Sequence, residues 1–122
     1  MNQAPSAPAP ASAPQARPYV PDRGDLVWLD FSPQVGHEQA GRRAALVLTT
    51  QEYNRKSGLA VVCPMTGEQK QYPYEAVLGA ESIALVDQVK SVDWHGRNCE
   101  RMGKVTPAAL QRVSLLLRAL LP

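Results

Sequence analysis

The stretch from Val35 to Thr50, VGHEQAGRRAALVLTT, joins a charged, glycine-containing segment to an almost unbroken apolar run. The run Ala44–Thr50 has apolar side chains on both of its faces and ends in β-branched residues. Such a composition favours a central, doubly buried strand over a helix, for which the run is short. In the charged half, Gly36 and Gly41 allow the backbone to approach a ligand closely. The stretch therefore predicts a buried strand with a polar loop at its beginning.

Other short apolar runs predict the rest of an antiparallel sheet. The segment Gly24–Phe31 alternates, with Val27, Leu29 and Phe31 on one face. Pro64 lies in another run, and we expect it at the edge or end of a strand because proline has no N–H to donate. The remaining segments are a helical turn or loop at Gln51–Gly58, strands at Leu59–Met65 and Tyr72–Gly79, and one or two strands at Ser82–Trp94, interrupted at Asp87 and Gln88.

An amphipathic helix of about four turns is predicted at the C-terminus, because Thr106 is a good N-cap and Pro107 suits the first helical position. Its apolar stripe consists of Leu110, Val113, Leu117 and Leu120, and three further leucines widen it: Leu115, Leu116 and Leu121. Strands followed by one helix predict a mainly β fold with a C-terminal α-helix, built on a small, strongly curved antiparallel sheet or half-barrel. The wide apolar stripe predicts a homodimer, since so small a monomer rarely exposes it.

The chain has 122 residues, which is enough for one domain. Its first part, residues 1–18, is almost wholly Ala, Pro, Ser and Gln, and predicts a disordered or polyproline-like tail. A docking arm is the alternative, although the segment lacks the aromatic or clustered basic residues that would bind a nucleic acid. The globular domain is therefore expected at residues 19–122.

Bulk composition argues for a protein of the cytoplasm and against a strongly basic nucleic-acid binder. The formal charge is +2, so any basic site must be local. Cys63 and Cys99 are isolated thiols without metal-ligand spacing, which is typical of a reduced compartment. The N-terminus does not resemble a secretion signal, and no apolar run is long enough to span a bilayer.

The charged loop ahead of the buried strand is the strongest candidate for a functional site. Glu38 offers a carboxylate, and Arg42 and Arg43 offer planar cations that suit a phosphate. A solvated hairpin loop with a surface ion pair is the alternative interpretation. Standard signatures of hydrolases, nucleotide-binding loops and zinc proteases are absent from the sequence.

From Tyr19 to Pro122 the chain resembles the MazF/PemK family of toxin endoribonucleases from toxin–antitoxin pairs. The resemblance rests on ordered blocks that cover the whole expected domain: YVPDRGDLVWLDFSPQVGHEQAGRRAALVL, YNRKSG, VCPMTGEQKQYPYEAVL, ALVDQVKSVDW and GKVTPAALQRV. It implies a homodimer of Src-homology-3-like barrels that cuts single-stranded RNA at short sequences, without a metal or other cofactor. It also implies a cognate MazE-like antitoxin as a partner.

The same resemblance implies which residues act on the RNA. The family's catalytic arginine matches Arg43, its catalytic threonine matches Thr66, and a supporting glutamate matches Glu38. This chain departs from the family pattern at three places, with Ala44 for the usual proline, Gly67 for a second threonine, and His37 for a small residue. We further expect RNA contacts from six polar side chains in loops: His37, Gln39, Arg42, Arg55, Lys56 and Lys70.

Elementary chemistry agrees with this assignment. Cleavage of RNA through its own 2′-hydroxyl needs a base, stabilisation of a phosphorane with extra negative charge, and a proton for the departing 5′-oxygen. A guanidinium can bind two phosphate oxygens as charge develops, and Thr66 can add a hydroxyl donor. Arginine holds its proton tightly, so Glu38 or His37 is expected to take the proton unless burial alters Arg43. The alternatives from other classes are a CcdB-type gyrase poison and an inactive nucleic-acid-binding module on the same fold.

Overall fold

The computed structural model describes residues 18–31 and 41–122. Within this part of the chain the strands are β1 Asp25–Phe31, β2 Gly41–Val47, β3 Ala60–Thr66, β4 Glu75–Gly79, β5 Ser82–Leu85, β6 Lys90–Val92 and β7 Glu100–Lys104. The helices are α1 Gln51–Ser57 and α2 Pro107–Leu120, with a short 3₁₀ turn at Val86–Gln88. No helix in the described part is both long and apolar enough to cross a membrane.

All strand pairs are antiparallel, and the sheet runs in the order β4-β5-β3-β2-β1-β7, with β6 also paired to β3. β3 pairs with β2 along one side, and with β6 and then β5 along the other. The curved antiparallel sheet with a C-terminal helix is thereby confirmed. Because β4 and β7 end the order without pairing to each other, the described sheet is open rather than a closed barrel.

Both faces of the central strands are buried, as the apolar run predicted. One face packs Val27, Leu29 and Phe31 of β1 against Ala45 and Val47 of β2. The other face of the sheet packs against α2 through a second group of buried residues, which includes Leu46, Cys63, Met65, Ala84, Val86 and Val113. Side chains alternate along a strand, so a strand between two cores must be apolar at every position.

The central strand begins and ends three residues earlier than predicted. Thr49 and Thr50 do not extend it, because the Thr50 hydroxyl accepts the Tyr53 N–H and caps α1. At the other end, Arg42 and Arg43 are strand residues, paired in register with Asp30 and with Leu29 of β1. Threonine hydroxyls at the end of a strand compete for backbone groups, which the apolar pattern does not reveal.

The expectation that Pro64 lies at an edge or end is wrong, since it is buried inside the central strand β3. The backbone groups of Val61 point towards β2. Its N–H donates to the Thr49 hydroxyl, and its carbonyl accepts the Leu48 N–H. By alternation the Pro64 nitrogen points away from β2, towards the place where β3 changes partner from β6 to β5. A missing N–H is tolerated there because no ladder bond is interrupted.

Strand β7 was not predicted, and its composition explains the omission. It pairs with β1, but Glu100, Arg101, Met102 and Lys104 are exposed and give no apolar alternation. Edge strands of this kind are formed by pairing with a neighbour and carry charges that discourage further pairing.

The C-terminal helix begins as predicted, with Thr106 as N-cap and Pro107 in the first turn. Ala109 and Val113 are buried, and Leu116 and Leu117 pack on the sheet. Part of the predicted leucine excess is therefore used within the monomer. Leu115 and Leu121 remain 59% and 64% exposed.

The buried Asn54 joins α1 to the rest of the domain, and no sequence pattern indicated this role. Its amide donates to the carbonyls of Pro21 at 2.8 Å and Thr49 at 3.0 Å, and its side-chain oxygen accepts from the Thr49 hydroxyl. The Asn54 carbonyl also accepts from the Trp94 indole at 3.0 Å.

We expect Asn54→Ala to lower the free energy of unfolding by about 2–3 kcal/mol, because buried carbonyls lose their donor. Urea denaturation measures the change. Glu52→Ala is the matched control on the same helix, since its ion pair with Lys56 is exposed and worth less than about 1 kcal/mol. Equal destabilisation by the two substitutions would contradict the role of Asn54.

Candidate active site

Arg43 and Thr66 lie opposite each other at one end of the central strands. The β2–β3 ladder pairs Ala45 with Pro64 and Leu46 with Cys63. The same register, continued by two residues, sets Arg43 against Thr66. The two residues predicted to act on the phosphate are thus brought together by strand pairing.

The pair separates two cavities, and both residues line each of them. The larger is a groove of about 600 Å³. The smaller, of about 370 Å³, contains the exposed apolar side chains Trp28 and Met102. Besides Arg43 and Thr66, the groove is lined by Glu68, Lys70, Tyr72, Glu75, Leu85, Asp87 and Gln88.

The Arg43 side chain has a buried donor that meets no acceptor among the described residues. Its Nε is inaccessible to solvent and has no hydrogen-bond partner within the described residues. Buried polar groups are nearly always satisfied, so an unpaired one calls for an explanation. An oxygen of a bound ligand between the two cavities would supply the acceptor.

Thr66 completes the pair with a hydroxyl of defined orientation. Its Oγ1 accepts the backbone N–H of Glu68 at 3.3 Å. A hydroxyl that accepts one bond can still donate its own proton. The arrangement can therefore offer a guanidinium and a hydroxyl to one phosphate.

Arg42 behaves differently from its neighbour, because alternation places it on the other face of β2. Its guanidinium bonds the carboxylates of Asp30 and Glu100, both at 3.0 Å. Burial would lower the pKa of Arg42, but these two hydrogen bonds outweigh it and the pKa is raised. The pKa of Asp30 is lowered by its hydrogen bonds from Asn98 and then Arg42. Arg42 thus links β1, β2 and β7. Its contact with RNA stays a prediction, for a guanidinium that already bonds two carboxylates.

The other predicted RNA-binding residues do not form one cluster. Lys70 lies in the groove. Arg55 and Lys56 lie on α1, at the opposite end of β2 and β3 from the Arg43–Thr66 pair, and Lys56 pairs with Glu52 at 3.4 Å. Lys70 is therefore separated from Arg55 and Lys56 by the length of the central strands. His37, Glu38 and Gln39 lie outside the described residues.

Several of the groove residues were not predicted from the sequence, because they lie in or after the polar loop that follows β3. The Glu75 carboxylate accepts the backbone N–H groups of Lys70 and Gln71, with the shortest contact at 2.8 Å. This holds the loop beside Thr66. Asp87, which interrupts the predicted strand segment Ser82–Trp94, is exposed and lines the groove. The break in apolar alternation at residues 87–88 was the available signal.

The two thiols take no part in the groove. Both are free. Burial raises the pKa of Cys63 to about 12 and that of Cys99 to about 11. Since the thiolate is the reactive form, both are poor nucleophiles near neutral pH.

The fold and the groove define a class of small proteins with an open, curved sheet, a C-terminal helix, and an arginine–threonine pair at the end of the central strands. Residues 22–121 match the family described as PemK-like, MazF-like toxin of type II toxin-antitoxin system. The chain belongs to this family.

Individual relatives match over nearly their whole length. The endoribonuclease toxin MazF of Escherichia coli K12 is 44% identical over 106 residues, which cover 84% of this chain and 96% of that protein. The crystal structure of MazF from Deinococcus radiodurans matches with a TM-score of 0.79 and 44% identity, over 85% of this chain and 98% of that one. A MazE–MazF structure from the same organism matches with a TM-score of 0.75 and 44% identity, over 85% and 97% of the two chains.

Proposed function

We propose that the protein is a toxin endoribonuclease that cleaves single-stranded mRNA by attack of the 2′-hydroxyl, without a metal, and so inhibits translation. The observation that carries this proposal is that Arg43, whose buried Nε has no partner within the described residues, lines the same two cavities as Thr66. The names of the relatives support it, since the E. coli protein is an endoribonuclease toxin.

The proposed reaction forms a bond from the 2′-oxygen to phosphorus and breaks the bond to the 5′-oxygen. The phosphorane carries extra negative charge, which Arg43 and Thr66 stabilise by hydrogen bonds directed at the non-bridging oxygens. Glu38, or His37 in its place, accepts the 2′-proton, and the leaving 5′-oxygen takes a proton from solvent water. The products are a 2′,3′-cyclic phosphate and a 5′-hydroxyl.

The proposed partners are a MazE-like antitoxin and a second copy of the chain. The Deinococcus relative was crystallised with MazE, which supports the first. Exposed apolar side chains support the second, since Trp28 and Met102 are each 40% exposed and Leu115 and Leu121 more so. The cytoplasm is the proposed location, where mRNA is present and free thiols persist.

The proposal is tested by incubating the protein with a long single-stranded RNA in excess EDTA. We expect discrete fragments ending in cyclic phosphates. A 2′-O-methyl RNA of the same sequence is the matched control, and it should stay intact because the nucleophile is blocked. Intact unmodified RNA would contradict the proposal and favour the gyrase poison or the inactive binding module.

A further inference from the structure

We infer that Asp87 recognises a nucleobase beside the scissile linkage, and that it selects bases that present an exocyclic amino group over uracil. The inference rests on the proposed function and adds to it a residue that determines sequence preference. It follows from the charges of the groove, from the rigidity of the turn that carries Asp87, and from the side chains around it.

The groove has two chemically different parts. Arg43 and Thr66 offer hydrogen-bond donors, which suit a phosphate. Among the described residues, three carboxylates line the groove, those of Glu68, Glu75 and Asp87. A phosphate next to them would be repelled, so a different part of the RNA must occupy that end of the groove.

Of these carboxylates, Asp87 is the one available to a ligand. Glu75 is engaged by the backbone N–H groups of Lys70 and Gln71. Glu68 lies 3.6 Å from the Lys70 ammonium group. Asp87 has neither a hydrogen bond nor an ion pair within residues 18–31 and 41–122. Its carboxylate can therefore accept hydrogen bonds from a ligand without losing others.

The turn that carries Asp87 is firmly attached to the sheet. Val86 is fully buried, and its N–H donates to the Tyr74 carbonyl at 3.1 Å. The Val86 carbonyl in turn accepts the Val89 N–H at 3.2 Å. A recognition group on a rigid support loses little entropy on binding and distinguishes ligands sharply.

The surroundings of Asp87 suit a base removed from the stack. Tyr72 lines the same groove with 61% of its surface exposed, and Leu85 adds an apolar wall. Proteins that bind single-stranded RNA stack bases on such rings and bond their Watson–Crick edges. An ionised carboxylate only accepts, so it matches the amino groups of cytosine, adenine or guanine. Uracil presents two carbonyl oxygens around one N–H and is disfavoured.

The test maps cut positions on a transcript pool in which the bases around each site are randomised. We expect the wild-type protein to disfavour uridine at one position near the cut. Asp87→Ala should reduce that discrimination about 10- to 100-fold, as expected for a lost base contact, and leave the other positions unchanged. Asp87→Asn, which has nearly the same shape, should shift the preference towards uridine because its amide can donate.

Glu81→Gln is the matched control, since it removes one carboxylate that lines the smaller cavity instead of the groove. It should leave the base preference as in the wild type. A second measurement is binding of uncleavable 2′-O-methyl oligonucleotides that differ at the single selected position, and the Asp87 variants should lose the affinity difference between them.

Unchanged base preference in both Asp87 variants would overturn the inference, and so would an equal loss of cleavage at every sequence. These results differ from failure of the proposed function, in which the wild-type protein cuts no RNA at all.

Discussion

Arg43→Ala is expected to lower the rate of RNA cleavage by at least about 100- to 1000-fold, the loss typical of removing a preorganised donor to a developing oxyanion. The guanidinium lies between two cavities, and its buried Nε has no acceptor in the part of the chain that the structure describes. Because no described residue accepts from this donor, a phosphate oxygen can bond to it without displacing another contact.

Single-turnover cleavage of a short RNA with one cut site measures this loss, and thermal unfolding verifies that the variant is folded. Arg43→Lys should recover only a small part of the rate, because an ammonium group keeps the charge but not the planar fork. Arg42→Ala is the matched control one residue away, and its loss should be much smaller because Asp30 and Glu100 already occupy that guanidinium. Similar losses for the Arg43 and Arg42 variants would contradict the assignment.

Thr66→Val is expected to slow cleavage about 10- to 100-fold, because a hydrogen bond to a charged group is worth about 1.5–3 kcal/mol. Valine keeps the branched shape on β3 and removes the hydroxyl. The effect should fall on kcat rather than on KM, since the hydroxyl bonds oxygens that gain charge in the transition state.

Thr66→Ser is the informative control for this second prediction. It keeps the hydroxyl that accepts the Glu68 N–H, and it should retain most of the activity. A Thr66→Val protein that cleaves at the wild-type rate would remove Thr66 from the mechanism, whatever the result for Arg43.

The adjacent arginines illustrate how far the sequence could predict the site. By composition Arg42 and Arg43 are equivalent, and the resemblance to the MazF/PemK family was needed to choose between them. In the structure they point to opposite faces of β2, because side chains alternate along a strand. One therefore enters the groove and the other joins an ion-pair network.

The basic residues outside β2 show that residue type alone does not predict which of them lie near the site. Lys70, Arg55 and Lys56 were predicted together, since each is a basic residue in a segment between strands. The antiparallel course of β2 and β3 carries α1 away from the Arg43–Thr66 pair, so Lys70 alone of these three lies in the groove. Proximity of this kind depends on strand direction and register, which residue type does not encode.

By itself the amino-acid sequence determined the kind of fold: a doubly buried central strand, an alternating β1, and a capped C-terminal helix, because apolar periodicity and capping are local properties of the chain. Tertiary structure alone decided that Arg43 meets Thr66, that Pro64 lies inside β3, and that Asp87 opens into the groove. Those outcomes depend on which distant segments pair and in what register. Pairing and register minimise the free energy of the whole packed domain, so no local segment determines them.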